Sequence, residues 1–180
     1  TRENLSAKEK IGQLFVVMGG DYSDETLKKM VEEGRIGGIL FRPVKTAEEI
    51  RADYAHLDEV AKIPLLKAAN LEEGGSGGMS DGTLYGWPML TAATDDVEEA
   101  KKFGQVCGEE GRSIGINITY SPVCDLDINF RNPITNVRTF GSDVERVKKM
   151  TRAYMEAVQE TGMAACAKHF PGDGVDFRDQ

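Results

Sequence analysis

Five short apolar runs, each set behind a stretch of helical periodicity, restrict this chain to few architectures. The runs are Phe15-Val16-Val17-Met18, Ile36 to Phe41, Leu65 to Ala69, Asn117 to Pro122 and Met163 to Cys166. Their β-branched and aromatic residues suit pleated backbone, and glycines such as Gly19-Gly20 and Gly162 punctuate them. Helix starts lie between them. Ser6-Ala7-Lys8-Glu9 has capping-box form, with Ile11, Leu14 and Phe15 following at helical spacing. Ser23 or Asp24 can cap a helix carrying Leu27, Met30 and Val31, and Thr46-Ala47-Glu48-Glu49 opens one carrying Ile50, Tyr54, Leu57 and Val60 or Ala61. Asp96 starts a helix through Ala100, Phe103, Val106, Cys107 and Ile114, and a last helix runs from about Asp143 to Thr161. Strands alternating with helices predict a parallel α/β sheet, either doubly wound or a TIM-type (β/α)8 barrel. The barrel is favoured because the long loops all follow strands at their carboxyl ends. A complete barrel takes about 250 residues, so these 180 residues are expected to hold only the first five βα units, a partial barrel in one domain spanning 1–180.

Charge and composition narrow the chemistry. A formal charge of −8 and a pI near 4.9 exclude a nucleic-acid surface and suit a neutral or cationic small ligand. Cys107, Cys124 and Cys166 are odd in number, widely spaced and without a CxxC pair, so buried free thiols in a reducing compartment are expected. No metal site or cofactor is expected. No run approaches the roughly 20 apolar residues that span a bilayer, and Thr1 to Lys10 lacks the apolar core of a signal peptide. No membrane partner and a cytoplasmic location follow as expectations.

Two loops and one turn hold the candidate site. Asn70 to Thr94 is Gly-rich, poor in periodicity and long for a plain connector, and Val123 to Ser142 is the second long loop. Gly74 to Gly82 lacks the GxGxxG order and a Walker lysine, which argues against a nucleotide site. Glu72 and Glu73 could be taken as an acid and nucleophile pair, but neighbours on extended chain point apart, so a structural or ligand-contacting role is preferred. After the fifth run, Ala167-Lys168-His169-Phe170-Pro171-Gly172-Asp173-Gly174 brings a cation and an imidazole out where a strand ends and the chain turns. A solvated acidic turn is the plainer alternative there. His56 is expected to be an ordinary helix residue, and Met18, Met30, Met150, Met155 and Met163 to be core filler.

In order along the chain, Lys8 to Phe15 (KEKIGQLF), Gly37-Gly38-Ile39-Leu40-Phe41, Asn70 to Gly75 (NLEEGG), Ser121 to Asp125 (SPVCD), Arg138 to Asp143 (RTFGSD) and Lys168 to Gly172 (KHFPG) resemble the N-terminal barrel domain of glycoside hydrolase family 3, in its β-N-acetylglucosaminidase-like branch. The resemblance covers essentially the whole chain. It implies an exo-acting retaining β-glycosidase that removes a terminal β-linked N-acetylglucosamine or glucose-like sugar. By that resemblance Arg138, Lys168 and His169 bind sugar hydroxyls, Asn70 stands where the family usually has an aspartate, and Asp125 shapes the pocket. Asp173 departs from the common pattern. Asp179 falls on the aspartate that partners an acid/base histidine, expected immediately beyond Gln180, and the nucleophile is an aspartate after a seventh strand. The 180-residue piece alone is therefore expected to be inactive, with possible self-association through its open barrel edges. A catalytically inactive sugar-binding or regulatory module on the same barrel is the alternative. A barrel enzyme for phosphorylated ligands is disfavoured by the acidic charge.

Overall fold

Capping chemistry sets the helix starts in the computed structural model, which describes residues 4–178. Ser6 and Thr46 each form a full capping box, with Glu9 and Glu49 accepting the cap residue's own N–H. These open α1 (Ala7–Gly12) and α3 (Ala47–Asp58), while Ser23, Asp96 and Asp143 cap α2 (Asp24–Glu32), α5 (Val97–Ser113) and α6 (Val144–Glu160). One helix, α4 (Pro88–Ala93), lies inside the first long loop. Six residues give less than two turns, too few for a periodic stripe to show in sequence, though Pro88 in its first turn suits a helix start.

The strands are β1 (Val16–Met18), β2 (Gly38–Leu40), β3 (Leu66–Ala69), β4 (Ile118–Thr119) and β5 (Ala164–Ala165). All pairings are parallel and the order is β1-β2-β3-β4-β5. A doubly wound sheet reverses direction at a switch point, whereas a barrel adds each strand beside its predecessor. The sequential order therefore selects the barrel arrangement, here with five of its strands. The paired segments are shorter than the apolar runs, because only the stretch facing a neighbour's ladder pairs and the rest leads into loops. The register places Met18 beside Leu40, Leu40 beside Ala68 and Ala69 beside Thr119, so the loops leaving the strands share one mouth.

Packing fixes that mouth from below. The rings of Tyr85 and Phe103 stack at 5.0 Å, and Tyr154 meets Phe103 edge-on at 5.1 Å. Helix α5 presses on α6 closely enough that a Cβ at Gly104 would overlap the Tyr154 carbonyl. Above these rings runs a buried polar network. Tyr154 Oη donates to the Leu71 carbonyl at 2.6 Å and lies 3.0 Å from Ser121 Oγ, and Thr119 Oγ1 accepts the Leu71 N–H at 3.2 Å. Leu71 is thus held at both backbone groups, between Asn70 and Glu72.

Several expectations are corrected. Cys107 is buried, its thiol pushed up to about 12 by desolvation, but Cys124 is half-buried and Cys166 exposed, because β5 is an edge strand with nothing described beyond it. Ile11, Leu14 and Phe15 are exposed rather than inward, since no described element covers that face of α1. Of the methionines expected in the core, Met150 and Met163 are buried, while Met18, Met30 and Met155 are only partly so. His56 is an exposed helix residue, as anticipated. Among the described residues, no helix is long and apolar enough to cross a membrane. Tyr154→Phe removes one donor from the Leu71 carbonyl while Ser121 Oγ stays within reach, so urea denaturation should register a loss of about 1–2 kcal/mol with an unchanged m value.

Candidate functional site

Three loops deliver one ionic cluster to the carboxyl ends of the strands. Asn70 follows β3 directly, and the turn at Leu71 carries the chain on to Glu72. The glycine-rich turn Gly75–Gly77 closes over this segment so tightly that a Cβ at Gly77 would overlap the Asn70 carbonyl. Arg138 ends the single turn Asn136–Arg138 in the loop after β4, and Lys168 emerges just beyond β5.

Glu72 is the centre of the cluster, with 6% of its side chain exposed. Its Oε2 accepts from Arg138 Nε at 2.6 Å and its Oε1 from Arg138 Nη2 at 2.9 Å, a bidentate pair. Lys168 Nζ pairs with the same Oε1 and reaches Asn70 Oδ1 at 3.3 Å. Burial alone would raise the Glu72 pKa. The hydrogen bonds and charges of Arg138 and Lys168 outweigh it and hold the carboxyl below its usual range. Glu72 and burial act on Arg138 in opposite senses too, and the hydrogen bonds to Glu72 prevail, so the guanidinium is more firmly charged than usual. Donors are left over. A guanidinium has five N–H groups and three here are committed, to the two Glu72 oxygens and the Ile134 carbonyl, leaving two.

A second group stands beside the first, joined through the Lys168–His169 peptide. Asp125 is buried, and its Oδ2 accepts both the His169 N–H at 3.0 Å and His169 Nδ1 at 2.7 Å. Its Oδ1 takes the Asp173 N–H at 2.6 Å. A carboxylate only accepts, so His169 Nδ1 carries the proton and Nε2 remains for a ligand. The Asp173 carbonyl is in turn held by Asn132 Nδ2. Asp125 therefore moulds the turn after β5 by three N–H bonds.

The candidates so fall into two groups. Asn70, Glu72, Arg138 and Lys168 meet directly; Asp125, His169 and Asp173 form the neighbouring clasp; Asp179 lies outside the described residues. Glu72 and Glu73 do not act as a pair, because Glu72 is neutralised while Glu73 sits partly exposed with its pKa raised by burial and by the Glu72 charge. A cavity of about 310 Å³ opens beside Asn70, Glu72 and Arg138 of the first group and is also lined by the apolar Met18, Leu40, Phe41 and Pro43 and by Arg42, Glu73 and Trp87. Sequence reasoning missed Arg42 and Trp87. The usable signal for Arg42 was its place just past β2, at the barrel mouth. Among the described residues no cluster of His, Cys, Asp or Glu is arranged to hold a metal ion.

Among the residues lining the cavity, Arg42 and Arg138 offset Glu72 and Glu73, so it is near neutral, with the unused donors of Arg138 at its edge. Residues 6–179 match the glycosyl hydrolase family 3 N terminal domain. The chain belongs to that family. A beta-N-acetylglucosaminidase/beta-glucosidase of Cellulomonas fimi is 43% identical over 100% of the chain, which covers 32% of that relative. A solved beta-glucoside phosphorylase bound to 2FGlc is 44% identical, with a TM-score of 0.89 over 99% of this chain and 32% of its own. A family 3 beta-N-acetylglucosaminidase from Paenibacillus sp. str. FPU-7 is 30% identical, with a TM-score of 0.88 over 97% of this chain and 35% of its own. The chain thus spans about a third of the length of these relatives, and its barrel strands superpose on family 3 barrels.

The ion cluster has a measurable acid limb. Since the Glu72 pKa lies below its ordinary 4.5, its contribution to stability is complete above about pH 4.5 and is lost as pH falls through the folded-state value. Glu72→Gln leaves two cations without their carboxylate and should cost about 3 kcal/mol at neutral pH, the low end for breaking a buried pair because Arg138 is 24% exposed. Urea unfolding followed from about pH 7 down to about pH 3 should then show a shallower acid decline in the variant than in the parent.

Proposed function

We propose that this chain carries the sugar-binding part of an exo-acting retaining β-glycosidase, acting on a terminal β-linked N-acetylglucosamine or glucose-like residue. The observation that carries the reading is the Glu72–Arg138–Lys168 cluster, which holds two cations rigidly at a barrel mouth with hydrogen-bond donors to spare. Fixed donors of this kind suit vicinal sugar hydroxyls. Asn70 supplies an amide that both donates and accepts, His169 offers Nε2, and Asp125 holds that ring in place. Near-neutral local charge suits an uncharged glycan.

In the reading, the acid/base histidine partnered by Asp179 and the aspartate nucleophile come from polypeptide beyond these five βα units. The nucleophile attacks the anomeric carbon while the acid protonates the departing oxygen; a water deprotonated by the same histidine, or a phosphate, then attacks that carbon from the face the leaving group vacated, breaking its bond to the aspartate. Phosphate enters the reading because a relative of this chain is named a phosphorylase. Among the described residues β1 and β5 have no outer strand partner, which favours association with polypeptide bearing later strands or with a second copy.

Aryl β-N-acetylglucosaminide and aryl β-glucoside, each with and without inorganic phosphate, are the test substrates. The chain alone should release no chromophore, and mixing it with a polypeptide bearing the later strands should restore release. Silence in the mixture, with sugar binding retained, would select the inactive sugar-binding module instead. Light scattering on the chain alone should show species larger than a monomer.

A further inference from the structure

The cavity beside the ion cluster is also lined by an indole. Trp87 is 38% exposed, lines the same cavity as Asn70, Glu72 and Arg138, and is the only tryptophan of the chain. Its placement is built rather than incidental. The strand-like return Glu73 to Gly86 is closed by a Gly74–Leu84 bridge and by Tyr85 N–H donating to the Glu73 carbonyl at 2.7 Å. Pro88 then starts α4 with Trp87 as its cap residue, and Pro88 itself is buried. Unlike Phe41, Tyr54, Tyr85, Phe103 and Tyr154, the indole has no aromatic partner among the described residues. Its N–H likewise has no acceptor there. A large apolar face left out of the core thus lines a cavity that also presents Asn70 and the donors of Arg138.

Charge at the rim identifies what fits between the walls. Arg42 and Arg138 balance Glu72 and Glu73 among the residues lining the cavity, so a phosphate or carboxylate gains nothing over a neutral molecule. A pyranose has the matching two-sided character: hydroxyls around its edge and a face of C–H groups. We propose that Trp87 is a specificity-determining residue of the sugar site, its indole stacking on the C–H face of a neutral pyranoside while Asn70 and Arg138 take the hydroxyl edge. The proposal rests on the β-glycosidase reading and adds to it the face by which the sugar is held.

The experiment uses the lone tryptophan as its own reporter. The chain is titrated with methyl β-N-acetylglucosaminide and with methyl β-glucoside, following Trp87 emission and, in parallel, ligand-observed NMR; inorganic phosphate is the charged control. Saturable change in emission with a pyranoside, a roughly tenfold weaker Kd by NMR in Trp87→Ala, and near-parental binding in Trp87→Phe are expected. Circular dichroism checks that both variants fold, and the emission titration of the parent needs neither. Pyranoside binding seen by NMR with unmoved emission and a parental Kd in Trp87→Ala overturns the stacking role and leaves the glycosidase reading standing. A folded chain that binds no pyranoside by either readout overturns both, and preferential binding of phosphate overturns the neutral-ligand assignment.

Discussion

A carboxylate taken out of water has to be answered by charge, and Glu72 is answered by Arg138 and Lys168. Isolated ion burial costs several kcal/mol even after the protein relaxes. That cost makes the arrangement of three separate loops non-negotiable. Arg138 lies 66 residues from Glu72 in sequence, and Lys168 reaches Asn70 across 98 residues, so the cluster knits the ends of β3, the loop after β4 and the start of the loop after β5. Below it, Tyr154, Ser121 and Thr119 hold Leu71 and so set the height of Glu72 above the sheet. The same interactions that keep Glu72 charged also hold the two cations in place.

Much of this was visible in the chain before folding. Short β-branched runs alternating with amphipathic stretches identify parallel α/β architecture, and Ser6-x-x-Glu9 and Thr46-x-x-Glu49 mark helix starts that the structure reproduces. Lys168 and His169 stood out because residues at strand ends in a barrel share one mouth, whereas Asn70 and Arg138 were singled out by the family resemblance. Glu72 was seen but its role was open: adjacency of Glu72 and Glu73 says nothing about which one meets cations arriving from distant loops. Trp87 and α4 were hidden by a glycine-rich segment whose order comes from backbone hydrogen bonds rather than from side-chain pattern. The exposure of Cys166 and Leu14 likewise depends on what packs beside an edge, which local sequence does not encode.

Asp125 shows how one carboxylate can set the path of a turn. Three N–H groups, from His169 twice and Asp173 once, converge on its two oxygens. The carboxylate decides both the path of the turn and the tautomer of the imidazole. Two buried carboxylates, Glu72 and Asp125, thus organise the whole mouth, one through side-chain cations and the other largely through backbone.

The strand order carries a further implication for how the molecule is made. Because each strand pairs only with its predecessor and successor, every βα unit leaving the ribosome finds its docking surface already present, and the sheet can grow in the direction of synthesis. The ion cluster cannot. Glu72 lies early in the chain, yet its second cation is supplied only by the residues following β5. The strand pairings are local in sequence, whereas the mouth depends on contacts that join loops far apart in the chain.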